Sequence, residues 1–206
     1  MKKLTFDYYM QIDYSEEVSS CHFTIKCLPK ETLRQRAEKI KIRLSPDVPY
    51  SMGRDAFGNA QIYGWDDMAH TTFSFQITGD VYTGLDGREE KINKDMLAVF
   101  RHPHGLNRVG DTLSAYYEKL VGMLPADVWE KTLFLTHRLH EDFVYEKGCT
   151  NVDTTAEQAW KLGRGVCQDY AHILIALLHM EHIPARYVTG MIPGEGASHA
   201  WVEVAE

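Results

Sequence analysis

Residues 163–172 read Gly-Arg-Gly-Val-Cys-Gln-Asp-Tyr-Ala-His and open a long apolar helix, which is predicted over about 167–182. Cys167 therefore lies in the first turn of that helix. A thiol is nucleophilic as the thiolate, and a helix start stabilises that anion through its unpaired N–H groups and its dipole. Gly163 and Gly165 would let the backbone turn sharply and leave space for a substrate chain beside the sulfur. The same N–H groups could hold an oxyanion.

The run 198–204 supplies a candidate partner for this cysteine. Its alternation predicts a strand with His199, Trp201 and Glu203 on one face and core residues on the other. A nucleophilic cysteine needs an imidazole that forms an ion pair with it and later protonates the leaving amine. A lone cysteine among apolar residues is more often inert, but the glycine-flanked helix start and this strand together favour a catalytic pair with His199.

These motifs resemble those of the transglutaminase-like cysteine enzymes, in particular bacterial members with an N-terminal β region. Family members have a stretch similar to residues 163–172 at their nucleophile and one similar to 199–204 at their base. Residues 154–156 fit the family's lead-in, and residues 55–59, Asp-Ala-Phe-Gly-Asn, look like a typical turn of the N-terminal region. The resemblance implies a papain-like α+β core, with helices packed on an antiparallel sheet, after a small β-sandwich-like domain.

The family completes a catalytic triad with an aspartate on the next strand, some 15 residues beyond the histidine. The sequence ends at Glu206, so the resemblance places the third carboxylate beyond that residue. We expect a C-terminally truncated core, because a final strand without its neighbour would expose a sheet edge. The alternatives are a substitute carboxylate, Glu203 or Asp153, and a loss of activity.

Five further side chains are candidates for positions around the nucleophile: Gln168, Asp169, Tyr170, Trp201 and Tyr145. Asp169 is also explained as a first-turn carboxylate that satisfies helix donors, and this structural interpretation is favoured. Trp201 on a half-buried strand is more often a core residue than the wall of a cleft. Tyr145 matches an aromatic position of relatives, but the chain has 11 tyrosines.

The first part of the chain alternates with period two, which predicts β structure. The five candidate strands span residues 4–14, 20–28, 38–44, 60–65 and 71–81. Turn residues between them favour an antiparallel sandwich or open barrel. We place the domain boundary near Arg88, which gives an N-terminal β domain of residues 1–88 and a catalytic core of residues 89–206.

Helical periodicity follows this boundary. A helix from Asp111 is predicted to bury Leu113, Tyr116, Tyr117, Leu120 and Val121, and one capped by Asp127 and Glu130 is predicted to bury Trp129, Leu133, Phe134 and Leu139. Thr154 and Glu157 predict a cap for a short helix over 155–162, which Gly163 ends. Strands are expected over 187–192 and 200–204.

Charge and apolar runs exclude several classes of protein. Lys and Arg total 22 against 29 Asp and Glu, a net charge of −7 with no basic stripe for nucleic acid. No apolar run approaches the roughly 20 residues of a membrane span, and Asp7 interrupts the only candidate secretion signal. We expect a soluble protein that binds neither nucleic acid nor membrane. Four scattered cysteines favour a reducing compartment, the cytoplasm.

Histidine pairs offer no complete metal site. The pairs are His102 with His104, His137 with His140, and His179 with His182, and no zinc motif accompanies them. Solvated helix faces explain them better. A phosphate-binding glycine loop and a dinucleotide fingerprint are also absent from the sequence, so we expect neither metal nor cofactor.

The sequence thus predicts a thiol-dependent amide hydrolase, a cysteine peptidase of the transglutaminase-like type that forms an acyl-enzyme on Cys167 with a peptide or protein substrate. A transglutaminase that crosslinks or deamidates protein glutamine is the enzymatic alternative. A non-catalytic protein-binding module that retains the fold is the other. The oligomeric state is open.

Overall fold

The computed structural model describes residues 1–84, 94–196 and 198–205. The chain forms two compact units, Met1–Lys91 and Ile92–Glu206. The predicted boundary near Arg88 lies outside the described residues, so the division into 1–88 and 89–206 stays a prediction.

The first unit is built from six strands. They are β1 Lys2–Val18, β2 Cys21–Ile25, β3 Gln35–Ser45, β4 Tyr50–Arg54, β5 Ala60–Asp66 and β6 His70–Thr83. Two three-stranded antiparallel sheets result, with orders β1-β6-β3 and β2-β5-β4. The prediction of five strands missed β4, because its five residues bury no side chain and follow Pro49 directly.

One apolar core joins the two sheets, as the predicted sandwich requires. It consists of Ile25, Leu44, Ile62, Phe73, Phe75 and Ile77. The 55–59 turn closes the β4–β5 hairpin because the Asp55 carboxylate accepts hydrogen bonds from the N–H groups of Phe57 and Asn59, each at 2.9 Å. Lys26 pairs with the same carboxylate at 2.9 Å.

The second unit is mixed helix and sheet. Its helices are α1 Lys94–Val99, α2 Asp111–Leu120, α3 Val128–Asp142, α4 Ala156–Leu162 and α5 Cys167–Met180; its strands are β7 Val144–Tyr145, β8 Arg164–Gly165, β9 Ala185–Gly190 and β10 His199–Val204. One-turn 3-10 helices lie at Gly105–Asn107 and Val121–Met123. The predicted helix and strand ends are correct to within about three residues, whereas the short parallel β7–β8 pair was not predicted.

Helix α5 is the centre of this unit. Every residue from Ala171 to His179 is buried, and α3, α4 and the antiparallel β9–β10 hairpin pack around it, while α2 packs on α4. The nucleophile candidate therefore begins a helix that is held on most sides.

The predicted buried faces are right for α2 except at Val121, and they are wrong in part for α3. Helix α2 buries Leu113, Tyr116 and Leu120, and half-exposed Val121 follows its end. In α3, Trp129 is 54% exposed and Leu133 38% exposed, whereas Thr132, Leu135 and Leu139 are buried. Thr132, a polar residue that was not among the predicted core residues, is buried because its hydroxyl donates to the Val128 carbonyl oxygen at 2.8 Å and needs no water.

One of the two predicted helix caps is correct, and the other lies one residue later than predicted. Asp127 caps α3 by accepting from the Glu130 N–H at 2.9 Å, as expected. Helix α4 is capped by Thr155 with Gln158, one position later than the predicted Thr154 and Glu157. Glu157 does not cap its own helix. Its carboxylate instead accepts hydrogen bonds from backbone N–H groups at the start of α2.

Candidate active site

The start of α5 presents two unused backbone donors. Val166 is extended and precedes the helix, and its carbonyl oxygen accepts from the N–H groups of Asp169 at 2.9 Å and Tyr170 at 3.1 Å. Within the part of the chain that the structure describes, the N–H groups of Cys167 and Gln168 donate to no other group. An anion beside the Cys167 sulfur would meet both donors.

The buried Asp169 side chain holds the start of α5 in place through hydrogen bonds. Its carboxylate is fully buried, and its Oδ2 accepts from the Val166 N–H and the Thr150 hydroxyl, both at 2.7 Å. A Cβ on Gly165 would lie 2.5 Å from that oxygen. The small size of Gly165 thus makes room for Asp169 and not, as expected from the sequence, for a substrate chain. Gly163 does supply the predicted turn, since it ends α4 with a φ of +71°.

The loop before α4 is tied to the same turn. The Gln168 side-chain amide donates to the Asn151 carbonyl oxygen at 2.9 Å, beside the Thr150 bond to Asp169. Gln168 therefore holds a loop and has a structural partner. Asp153 is exposed in this loop, where its N–H donates to the Asn151 side chain.

Two tyrosines stack on each other close in the fold to the start of α5. The Tyr170 hydroxyl donates to the Phe143 carbonyl oxygen, and its ring meets the Phe143 ring edge-on with centroids 4.8 Å apart. Tyr145 is 53% exposed and stacks on Tyr170 at 6.3 Å. The β7–β8 pairing sets Tyr145 level with Gly165, two residues before Cys167. Tyr170 is thus a packing residue, whereas Tyr145 is an exposed neighbour of the candidate nucleophile.

The β10 strand confirms the predicted alternation. Val202 and Val204 pack on the core, so His199, Trp201 and Glu203 share the other face. The Trp201 ring covers Gly190, which leaves the indole 39% exposed.

Glu203 is engaged away from His199. Its carboxylate accepts from Arg186 at 2.8 Å and 2.5 Å. Glu203 lies four positions beyond His199 along the strand, a distance of about 13 Å. The structure does not bring this candidate carboxylate to the imidazole.

Cys167 and His199 lie at the same end of the layer formed by α5 and the hairpin. Strand β9 runs back along the helix, with the Tyr187 ring stacked on His172. Five helical residues, about 7.5 Å, lead from His172 to Cys167. Three strand residues, about 10 Å, lead from Tyr187 to Gly190, which pairs with His199. Among the described residues no hydrogen bond joins the two side chains, so their catalytic pairing stays a prediction.

A buried polar group beside the nucleophile was not predicted. His172 Nδ1 lies 2.6 Å from Asn107 Oδ1, and the His172 and Tyr187 rings stack with centroids 4.8 Å apart and an interplanar angle of 12°. Burial lowers the pKa of His172, although nearby Asp169 opposes this shift. Burial, with the negative charges of Cys167 and Asp169, raises the pKa of Tyr187. Only His172 belongs to the conspicuous motif, and Asn107 and Tyr187 come from distant elements without a sequence signal.

Comparisons with known proteins relate both units of the chain to known family models. Residues 115–205 match the profile of the transglutaminase-like superfamily, and residues 4–82 match that of the bacterial transglutaminase-like N-terminal region. Models of the transglutaminase-like family thus match both the first and the second unit of the chain. Uncharacterized proteins of Mycobacterium tuberculosis and Mycobacterium bovis are each 26% identical to it over 222 residues, covering 93% of this chain and 69% of theirs.

Solved structures share the transglutaminase-like fold. A candidate cysteine protease from Cytophaga hutchinsonii superposes with a TM-score of 0.76 at 23% identity, over 98% of this chain and 75% of that one. The periplasmic domain of TgpA from Pseudomonas aeruginosa gives a TM-score of 0.50 at 17% identity, over 99% and 68%. The predicted α+β fold with an N-terminal β region is thereby confirmed.

One histidine of the predicted pairs, His179, has different surroundings from those expected. His179 is buried, with Nε2 3.4 Å from the Ala185 carbonyl oxygen, so it does not lie on a solvated face, whereas His137, His140 and His182 are exposed. Within residues 1–84, 94–196 and 198–205, no three His, Cys, Asp or Glu side chains are placed to hold a metal ion. No described helix is long and apolar enough to cross a membrane.

Proposed function

We propose that this protein is a thiol-dependent amide hydrolase, a cysteine peptidase or amidase that acts on a peptide or protein substrate through Cys167 and His199. The observation that carries the proposal is the start of α5. There Cys167 stands on a buried helix, beside two unused N–H donors, in a turn held by the carboxylate of Asp169.

The proposed first half-reaction forms an acyl-enzyme. The Cys167 thiolate attacks the amide carbonyl carbon, and the negative oxygen that develops is held by the N–H groups of Cys167 and Gln168. Protonated His199 then gives its proton to the leaving amine as the carbon–nitrogen bond breaks. The amine departs and a thioester remains.

Water completes the proposed cycle. His199, now neutral, removes a proton from water, and the resulting hydroxide attacks the thioester carbon. A carboxylic acid leaves, and Cys167 regains its thiolate beside the protonated imidazole. An amine in place of water would give crosslinking, and water acting on a glutamine thioester would give deamidation. We favour hydrolysis of peptide amides, which the fold shared with the candidate cysteine protease of C. hutchinsonii supports.

The cytoplasmic location also belongs to this proposal. The four cysteines are free thiols, which supports a reducing compartment.

Alkylation tests the nucleophile without a known substrate. Iodoacetamide at pH 6 should label Cys167 faster than Cys21, Cys27 and Cys149, as read by peptide mass mapping, because a stabilised thiolate reacts first. Cys149 is the internal control, since it is also partly exposed but lies in a loop, with its thiol 3.2 Å from the Glu146 carbonyl oxygen. His199→Ala should slow Cys167 alone.

Two results would decide against the proposed chemistry. Equal labelling of Cys167 and Cys149 would remove the case for an activated thiol. An unchanged Cys167 rate in His199→Ala would remove the histidine from the mechanism. Hydrolysis and crosslinking are then separated with a labelled primary amine and a library of glutamine peptides, because stable amine incorporation occurs only in crosslinking.

A further inference from the structure

Tyr187 presents a hydroxyl donor that the proposed mechanism does not use. The residue lies on β9, on the face that packs against α5, and it is half-buried. Burial, and then the nearby negative charges of Cys167 and Asp169, raise the pKa of its hydroxyl. Within the described ranges it forms a hydrogen bond with neither, nor with any other group, so this donor is available to a third molecule.

The Tyr187 ring is held in place by a chain of contacts. Asn107 Oδ1 fixes His172 Nδ1 at 2.6 Å, and the His172 ring stacks on the Tyr187 ring at 4.8 Å. Helical side chains lean toward the helix N-terminus, so His172 directs the stacked tyrosine over the turn that contains Cys167 and Asp169. A hydrogen-bond donor stabilises a developing charge best when its position is fixed before the reaction, and these contacts fix the Tyr187 ring.

The hydroxyl also keeps its proton at neutral pH. Burial, followed by the charges of Cys167 and Asp169, raises the pKa of Tyr187, so the group stays a donor and does not become a competing anion. A neutral hydroxyl donor can stabilise negative charge that appears on a substrate oxygen.

We propose that Tyr187 is a further catalytic residue, whose hydroxyl donates a hydrogen bond to the oxygen of the acylated or reacting carbonyl at Cys167, and that His172 and Asn107 position it. This inference rests on the proposed acyl-enzyme chemistry. The Tyr187 ring stacks on His172, five residues beyond Cys167 in α5, and its hydroxyl has no hydrogen-bond partner among the described residues, so it is free to donate to a carbonyl oxygen bound there. The Tyr187 hydroxyl would join the N–H groups of Cys167 and Gln168 as a third donor.

Two reagents separate this role from a structural one. Acylation of Cys167 by p-nitrophenyl acetate passes through a tetrahedral oxyanion, whereas alkylation by iodoacetamide displaces iodide and forms no oxyanion. Tyr187→Phe keeps the ring that stacks on His172 and removes only the hydroxyl. Tyr170→Phe is the matched control, because the Tyr170 hydroxyl is engaged by the Phe143 carbonyl oxygen.

We expect Tyr187→Phe to slow acylation about tenfold or more, with alkylation within about twofold of the wild-type rate. Tyr170→Phe should leave both relative rates unchanged. If Tyr187→Phe acylates as fast as wild type, or if both reactions slow alike, the oxyanion role is overturned while the thiol chemistry stands. If wild-type Cys167 is not acylated faster than in urea-unfolded protein, the proposed function itself fails, which is a separate result.

Discussion

Replacing Glu157 with glutamine removes a charge that organises the start of a different helix. The Glu157 side chain on α4 accepts hydrogen bonds from the backbone N–H groups of Gly110 at 3.2 Å, Thr112 at 3.0 Å and Leu113 at 3.1 Å. The Thr112 hydroxyl adds a bond of 2.6 Å. These donors are the unpaired N–H groups of the α2 N-terminus, where a carboxylate is stabilised by both hydrogen bonds and the helix dipole.

The magnitude follows from the pKa of this carboxyl. Burial raises the pKa of Glu157, but the hydrogen bonds from Thr112 and Leu113 outweigh burial and lower it from 4.5 to about 2. At about 1.4 kcal/mol for each pKa unit, the difference corresponds to about 3 kcal/mol. The side chain is only 14% exposed, so solvent screening is small.

The sign of the pH dependence is fixed by the lowered pKa. The folded protein binds the proton less readily than the unfolded chain, so the stabilisation is complete above the unfolded pKa of 4.5 and is lost as the pH falls toward 2. Linkage gives a loss of about 1 kcal/mol at pH 4 and about 2 kcal/mol at pH 3. Glutamine is uncharged throughout, so Glu157→Gln should be less stable by about 2 to 3 kcal/mol at pH 7 and should approach wild type as the pH falls.

Urea unfolding followed by ellipticity at 222 nm measures this effect, because every described helix lies in the second unit. Glu118→Gln is the matched control, as Glu118 is exposed in the last turn of α2, away from the Glu157 contacts. A Glu157→Gln variant as stable as Glu118→Gln at pH 7, or a stability difference that does not change between pH 7 and pH 3, would refute the capping role.

Two further substitutions test the nucleophile turn. Gly165→Ala should lower the melting temperature by several degrees and reduce the selective labelling of Cys167, because the new Cβ would lie 2.5 Å from Asp169 Oδ2. Gly122→Ala is the control, since a Cβ there meets open space and should leave the melting temperature unchanged. Equal melting temperatures for the two variants would contradict this packing. Thr150→Val should lower the free energy of unfolding, measured with urea, by about 1 to 3 kcal/mol, because it removes a hydrogen-bond donor from the buried Asp169 carboxylate. The control, Thr189→Val at an exposed position, should show no such loss.

Local sequence signals predicted the parts of this molecule whose partners are close in the chain. The cap formed by Asp127 and Glu130 spans three residues, and the start of α5 at Cys167 is marked by its flanking glycines. The strand that carries His199 was predicted for the same reason, because alternation is a property of consecutive residues.

Features that depend on distant partners were not predictable in this way. The Glu157 carboxylate serves donors that lie 44 to 47 residues earlier in the chain, so the pattern around it favoured a cap of its own helix. The Tyr187 ring stacks on His172, and His172 contacts Asn107, so the arrangement depends on residues from separate elements. Thr132 is buried because a neighbouring carbonyl oxygen satisfies its hydroxyl, which composition alone does not indicate.

The most direct test of the central claim is the mass of the intact protein after brief mixing with p-nitrophenyl acetate. Wild type should gain one acetyl group, mapped to Cys167, and should lose it again as water resolves the thioester. Cys167→Ser should gain none at this position under the same conditions, and His199→Ala should gain and release the group far more slowly. Acetyl groups spread equally over the four cysteines, or a Cys167 adduct whose formation and release are unchanged in His199→Ala, would contradict catalysis by this pair.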